Sequence, residues 1–547
     1  MATTDPAPHP RRRPSAATLV VVGCALVAAA ARVPGLGWSV GPDESGFTLV
    51  ARTWHPSAAS PYGQYWVDRP PPLIALVRLA DAVGGLHALR WLATLGSALL
   101  VLAAAALARE VARTGSESTA ERAVVLTAIG TTALVSNASI DLVYAKGEVL
   151  SLPLLVGSAW LVLRALRFRG ALAAALAGLL AGSAIGLKQN LFGGLVFAAV
   201  VLVGETVRRA LAPRDLARLG GAFLAAALVP ALATAAWALG AGVRLSSLWY
   251  AVYGFRGDAL SVILAGPLSA PVHRAEHLLT VAVTTGLVVL LGWFLLSVRR
   301  LARQRPVLTL ATLAVLVVDS ASLALGGSYW RPYLFGLVPA AVLSLALLAS
   351  ATAATTTVPA RPADSDAAST PGGRGPGRTA SRRVTGGVVA VLVASCVVSG
   401  VQWVRSWPSL SRPVAAVVVG RAIHAASRGG DTLTVWGGQP DVQLASGLSS
   451  PYAYLWSLPA RTRDPGSRQL AAVLAGPRAP TWFLAWSTLG AWHDGTPSAV
   501  GPVLRQRYVR AGHACGGHSL YRLRDAVRTA PAVGCTAMAA ARATTGP

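Results

Sequence analysis

Lysine is almost missing from this 547-residue chain: of 48 basic residues only Lys146 and Lys188 are lysine, the rest arginine. Acidic residues are scarce too, 22 in all, and charged residues of both signs make up 13%. A soluble chain carries about a quarter charged residues, so a water-covered globular protein of this length is excluded. The four cysteines form no metal motif. Cys24 and Cys396 lie in apolar segments; Cys515 and Cys535 lie close together near the C-terminus, where a disulfide is open to them if that region is extracytoplasmic. There is no phosphate-cradling GxxxxGK[ST] loop, no GxSxG and no HExxH, which argues against chemistry driven by cytoplasmic ATP.

What the chain does have is hydrophobic residues, 54% of it, with a mean hydropathy of +0.54. They gather into runs near the ~20 residues that cross a bilayer, placed at 17–37, 89–108, 123–140, 149–163, 171–187, 190–204, 219–241, 278–298, 306–326, 333–350 and 385–403. The class is therefore an α-helical polytopic membrane protein with about eleven transmembrane helices. The net charge of +26 raises a nucleic-acid partner, but the basic residues sit in short clusters between apolar runs, which argues for no nucleic acid and for a lipid bilayer. The excess of Arg, Ala and Gly reads as GC-rich codon bias, so two lysines that resist it carry more meaning than any single arginine.

With the N-terminus inside and the chain alternating, the inner loops hold 22 positive residues, including Arg11 to Arg13, the cluster Arg208, Arg209, Arg214 and Arg218, and Arg299 to Arg305; the outer segments hold 11. That excess sets the N-terminus in the cytoplasm and residues 38–88 outside, in a multi-pass protein of the cell membrane. Arg11, Arg12 and Arg13 before an apolar stretch imitate a signal peptide, but nothing after Ala31 marks a cleavage site, so an uncleaved first helix is expected. Residues 71–84 are apolar but short and contain Arg78 and Asp81; they read as an amphipathic helix on the outer surface. Residues 351–384 read as a disordered cytoplasmic linker before a last membrane helix, 385–404. Residues 405–547 are more polar, and runs such as Thr432–Trp436 and Thr481–Ala485 suggest an external α/β domain.

Polar residues stranded on the outer face are the candidates for chemistry. Asp43 and Glu44 follow the first helix: two carboxylates there can supply a general base or bind a cation, or merely cap a surface helix. The same loop carries Asp68, Arg69 and Pro70 to Pro72. Asp141, Lys146 and Glu148 occupy the second outer turn, and Lys188, Gln189 and Asn190 the third. A lysine at an outer helix end opposes the inside bias and calls for an anion, either a lipid headgroup phosphate or a substrate phosphate. Asp319 falls within an apolar run and needs a partner such as Arg331, or a catalytic role. Tyr329, Trp330, Arg331 and Tyr333 combine an aromatic belt with a cation it does not explain. His55, His273 and His277 lack zinc spacing; the i, i+4 pair is a weak hint only.

Taken in order and on a common side, these residues resemble the GT-C superfamily of polytopic glycosyltransferases, in the branch of protein O-mannosyltransferases and lipid A aminoarabinose transferases. Asp43-Glu44 resembles that family's acidic pair, and Asp68-Arg69-Pro70-Pro71-Pro72-Leu73 its (D/E)-K-P-P-L stretch with arginine for lysine. Lys188 resembles its later external lysine, and Arg331-Pro332-Tyr333-Leu334 its R/H-Y-x-x-P element with an extra proline. The likeness covers residues 17–350. It implies an inverting transferase that moves a hexose or pentose from a polyprenyl-phosphate donor to a glycan, lipid or protein acceptor. Asp43 would be the base, and Lys188, Arg69 and Arg331 the cations facing the leaving phosphate. Glu44 and Asp68 would orient the base or acceptor, or hold a cation; a divalent cation is left open. A rival reading is a transporter or flippase of polyprenyl-linked glycans, which calls for midplane charges and internal pseudo-symmetry. A third is a scaffold built on the 405–547 domain.

Overall fold

The computed structural model describes residues 15–354, 376–407, 412–489 and 498–534. All eleven apolar runs are helical. They form α1 (Ala16–Ala30), α4 (Ala88–Ala112), α5 (Glu117–Val135), α6 (Gly147–Phe168), α7 (Ala171–Leu187), α8 (Gly193–Val207) and α9 (Pro213–Gly240). After them come α12 (Ser269–Thr284), α13 (Leu287–Gln304), α14 (Pro306–Leu325), α15 (Val338–Ala354) and α16 (Pro376–Arg405). Local chemistry starts several of them: Ser15 Oγ accepts from Thr18 N at the head of α1, Ser116 Oγ does the same from Thr119 N for α5, and Pro213 and Pro306 open α9 and α14.

Seven described helical segments are long and apolar enough to cross a membrane, eight if α12 and α13 count as one bent span. The apolar α7 and α8 are shorter, at 17 and 15 residues. Leu26, Leu172, Leu296 and Val317 are more than 60% exposed; such a surface suits hydrocarbon and not water. The chain is a multi-pass membrane protein.

Three boundaries depart from the hydropathy pattern. The run 278–298 is not one helix: α12 and α13 meet at 72°, with Gly286 in the left-handed region at φ +78°. The last membrane helix begins at Pro376 rather than 385, so residues 376–384 belong to α16; residues 355–375 of the expected linker lie outside the described residues. Residues 331–337 form a 3-10 helix ahead of α15, shaped by Pro332.

Helix contact is closest between α7 and α9, where Gly178 and Gly182 recur one turn apart. A Cβ at Gly178 would lie 2.0 Å from Phe223 O, and one at Gly182 would lie 2.1 Å from Ala227 O. The two backbones touch only because those side chains are absent. Gly182→Leu is therefore expected to lower stability by at least ~1–3 kcal/mol, the range for overpacked sites, seen as earlier thermal unfolding in detergent. An unchanged transition would contradict that contact.

Between α1 and α4 the chain forms α2 (Pro42–Arg52) and α3 (Pro71–Gly84). In α3, Leu73, Ile74, Val77 and Ala80 are buried while Leu79 and Val83 are exposed, the two-faced pattern expected for 71–84. Gly85, at φ +69°, breaks it from α4, and Arg52 joins α2 to α3 through a bidentate pair with Asp81 at 2.7 and 2.8 Å. After α9, α10 (Leu245–Trp249) and α11 (Phe255–Ala265) form a further helical excursion.

The C-terminal region is an α/β unit. α17 (Ala415–Ala426) precedes β1 (Leu433–Trp436), and α18 (Pro440–Ser446), α19 (Ser457–Arg463) and α20 (Arg468–Ala475) lead to β2 (Trp482–Ala485). α21 (Val500–Arg507), β3 (Tyr508–His513) and β4 (Ser519–Leu523) complete it. The sheet order is β1-β2-β4-β3, with β1 and β2 parallel and the rest antiparallel. Both strands expected from sequence are present, and the hairpin β3–β4 is an addition to that reading. Cys515 is buried and disulfide-bonded; Cys535 lies outside the described residues.

Candidate functional site

The loop after α1 is organised around one buried ion pair. Glu44, third residue of α2, accepts from Gly41 N at 3.2 Å, which makes it a helix cap. Its oxygens also accept from Arg90 Nε at 3.0 Å, Arg90 Nη2 at 2.7 Å and Ala145 N at 2.9 Å. Arg90 Nη1 donates to the carbonyls of Gly35 and Trp38, and Nη2 to that of Ser39. Both side chains are almost fully withdrawn from solvent. Glu44, expected beside Asp43 as a catalytic carboxylate, has its acceptor capacity taken up by backbone and arginine. The capping reading applies to Glu44 and not to Asp43.

Asp43, one position earlier, turns the other way. Its Oδ2 lies 3.1 Å from Lys146 Nζ, and its side chain is 33% exposed. Arg69 and Lys188 act on it electrostatically. Burial pushes the carboxyl up, but Lys146, Arg69 and Lys188 outweigh it and hold Asp43 below the usual carboxylate range. Burial works equally against Arg69 and Lys146, yet Asp68 and Asp43 lead the carboxylates that raise both above their ordinary values. Asp68 bridges two guanidiniums, Arg69 at 2.8 Å and Arg256 at 2.6 Å. The Arg69 carbonyl accepts from Tyr62 Oη, and its guanidinium lies over the Phe47 ring at 5.6 Å.

The third part is the junction of α6 and α7. Glu148, in the first turn of α6, is ion-paired with Lys188 at the end of α7, and Lys188 Nζ stands 4.5 Å above the Tyr333 ring. A carboxylate at a helix start and a cation at a helix end both suit the helix dipoles. Gly147 makes the meeting possible, because a Cβ there would lie 2.6 Å from Leu187 O. Lys188 therefore already has an anion in its own chain, where a lipid or substrate phosphate was expected; two of its three N–H donors remain for others. Asp43, Asp68 and Glu148 face Lys146, Lys188, Arg69 and Arg256, a cluster with one surplus positive charge.

Other expected residues sit differently. Asp141 Oδ1 accepts from Val143 N and Tyr144 N, a turn device that shapes the loop leading to Lys146. Tyr329 adopts φ +51° and donates to Ala324 O at 3.1 Å. Arg331 lies within electrostatic reach of His277, and among the described residues its side chain has no hydrogen bond or ion pair. It does not pair with Asp319, which is buried against the start of α8 with Oδ2 unpartnered.

Sequence reasoning overlooked several neighbours. Arg90 and Arg256 counted only as loop charges; the available signal was that the carboxylates of the first outer loop, Asp43, Glu44, Asp68 and Asp81, outnumber its cations Arg52, Arg69 and Arg78. The α/β unit closes over the first loop: Trp66 N donates to Ala453 O at 3.0 Å, Ser450 N to Tyr65 Oη at 2.8 Å, and Gln64 Nε2 to Ser450 O at 2.7 Å. Trp456 packs on Phe47 with centroids 5.6 Å apart, and a Cβ on Gly46 would lie 2.1 Å from its ring. No local pattern in the sequence announces these contacts, which join residues almost 400 apart.

A divalent cation fits this site poorly. Among the described residues no group of three or more His, Cys, Asp or Glu side chains is gathered to hold a metal. Asp43 faces Lys146, Glu44 is sequestered by Arg90, and Asp68 lies between two arginines.

No protein-family model matches this chain, and no curated protein matches its sequence. Solved structures do match its fold. ArnT from Cupriavidus metallidurans bound to undecaprenyl phosphate superposes with a TM-score of 0.56 at 11% identity, over 92% of this chain and 97% of that one. Its apo state gives 0.56 at 13% identity, over 93% and 98%. The oligosaccharyltransferase of Archaeoglobus fulgidus in its apo form gives 0.54 at 12% identity, over 90% and 72%. The chain shares the fold of these proteins, a polytopic helical membrane bundle with a C-terminal α/β domain.

Proposed function

We propose that this chain is an inverting glycosyltransferase that moves a sugar from a polyprenyl-phosphate donor to an acceptor hydroxyl. The observation that carries the reading is a partly exposed aspartate, Asp43, set among Lys146, Arg69 and Lys188 in a fold shared with a protein solved with undecaprenyl phosphate. The positive-inside excess supports placing this end outside the cell membrane, together with the α/β unit, and the N-terminus in the cytoplasm.

In this mechanism the acceptor oxygen forms a bond to the anomeric carbon as the bond to the phosphate oxygen breaks, and the configuration inverts. The hydroxyl proton passes to Asp43 Oδ, and the electron pair of the broken bond stays on the departing polyprenyl phosphate. Arg69 and the remaining donors of Lys188 stabilise that growing charge, most strongly where water is sparse. Asp68 and Arg256 fix Arg69; Glu44 and Arg90 fix the start of α2. Tyr333 seats Lys188. Asp141 shapes the loop of Lys146. The transferred unit is a hexose or pentose, and the acceptor a glycan, lipid or protein of the cell envelope.

The test is reconstitution of the purified chain in liposomes with polyprenyl-phosphate hexose and pentose donors. Glycosylated acceptor and lipid phosphate should appear in equal amounts. Movement of intact donor across the bilayer without product would favour the transporter reading instead. In cells, mass spectrometry of envelope glycans should show one sugar missing without this chain and restored by it.

Lys146 gives a separate prediction through pH. Asp43 accepts a proton only when ionised, so transfer falls as pH drops through its depressed pKa. Lys146→Gln removes the leading influence that lowers that pKa and leaves burial pushing it up, so the acidic limb of the pH–rate profile should move to higher pH. A limb that stays in place would separate Asp43 from the rate.

A further inference from the structure

One cavity lies away from the Asp43 site. It lies at the opposite end of the bundle, with a volume of about 440 Å³, within the range of small-ligand sites. The C-terminal ends of α4, α6 and α8 and the α13–α14 junction enclose it. Its wall has two characters. Leu163, Leu166, Val201, Leu211, Val307 and Leu308 line the cavity together with five arginines and two carboxylates, Glu110 and Glu205.

Two of those arginines are already committed. Arg167 pairs with Glu110 at 3.2 Å, and Arg169 donates to Ala210 O at 2.8 Å, closing the turn after α8. The remaining three make no ion pair among the described residues. Arg305 makes one hydrogen bond, to the neutral hydroxyl of Thr114 at 2.8 Å. Arg113 and Arg208 have no side-chain hydrogen bond or ion pair among the described residues. Arg305 and Arg113 repel each other across the cavity: burial, then Arg113, pull the Arg305 guanidinium below its ordinary value. Five arginines against two carboxylates leave a positive excess beside apolar residues, which calls for an anion with an apolar body.

We propose that this cavity is a binding site for a membrane lipid with an anionic phosphate headgroup, its phosphate held by Arg113, Arg208 and Arg305 and the start of its acyl chains laid on the Leu163–Leu166 wall. The apolar half of the lining decides for a lipid over soluble phosphate, which would leave that half against water. The cavity also sits where helices leave the apolar core, which is headgroup depth for a lipid of that leaflet. Such a lipid bridges the α13–α14 junction to α4 and α8, beside the Arg305–Thr114 bond and the packing of Val307 on Gly204. It is separate from the donor lipid, whose phosphate the proposed mechanism places at the other end of the bundle.

The experiment is native mass spectrometry of the full chain in detergent, titrated with phosphatidylglycerol, with phosphatidylcholine of the same chains, or with inorganic phosphate. Wild type should retain phosphatidylglycerol in preference to phosphatidylcholine. Arg113→Gln with Arg208→Gln should weaken that retention by about thirtyfold, from about 1 kcal/mol per cation. Both residues are exposed and unpaired, so unfolding without lipid should be unchanged. Leu163→Trp, which fills the apolar wall and leaves every cation in place, should weaken retention as well. Undiminished retention in both variants overturns the proposal. So does displacement of the lipid by millimolar inorganic phosphate, which would make this a site for soluble anions.

Discussion

Asp43→Asn is expected to reduce sugar transfer by about 10²–10⁴-fold, the usual contribution of a positioned general base, while the protein still inserts and folds. Asparagine keeps the shape of the side chain but cannot accept the hydroxyl proton. The fold should tolerate it because Asp43 caps nothing: the cap of α2 is Glu44. The Asp43–Lys146 pair is partly exposed, and such pairs add at most about 1 kcal/mol. Lys146 also keeps Asp141 and Glu148 as nearby carboxylates. The measurement is the initial rate of transfer alongside thermal unfolding. A variant that melts like wild type and transfers at the wild-type rate would remove Asp43 from the mechanism.

Arg90→Met should act the other way, on stability first. It strands the Glu44 carboxylate in a site that admits almost no water, and leaving one member of a buried pair alone costs about 3–5 kcal/mol. It also releases the carbonyls of Gly35, Trp38 and Ser39, which Arg90 holds between α1 and α2. Asp43 follows that segment, and a displacement of about 1 Å is enough to lose about 10²-fold in rate. Glu44→Gln in the same chain should recover part of the stability, because the uncompensated charge is gone. It should recover less of the rate, because the loop still lacks its arginine. Arg90→Lys would not substitute, since a point charge cannot make the forked contacts. Thermal unfolding and transfer rates of the two single variants and the double variant measure this coupling; simple additivity would mean that Glu44 and Arg90 do not act as a unit.

The helical membrane class was legible from length and composition because a bilayer imposes a length on any apolar segment that crosses it. The runs were located well where nothing but hydropathy matters, as in α4, α6, α7 and α9. They were misjudged where backbone geometry intervenes: at Gly286, which turns one run into two helices, and at Pro332, which begins another as a 3-10 helix. β1 and β2 announced themselves by β-branched and aromatic residues in short runs. The hairpin at 508–523 did not, because Arg510, Gly512 and His513 interrupt β3 and a bulge breaks its register between Arg510 and Gly512.

The candidate residues divide along the same line. Sequence by itself determined that polar groups collect on one side of the bundle, because arginine excess and helix alternation are counted along the chain. It also singled out Asp43, Lys146 and Lys188 as charges out of keeping with their surroundings. Which charge meets which was decided only by tertiary structure. Two adjacent carboxylates, Asp43 and Glu44, point to opposite partners because successive residues on a helix face about 100° apart, and Arg90 and Lys146 arrive from different helices. Lys188 finds Glu148 because Gly147 lets two helix ends touch, and Asp68 finds Arg256 from nearly 200 residues away. Coulomb attraction and burial act through space, so they depend on packing that no local stretch of sequence records.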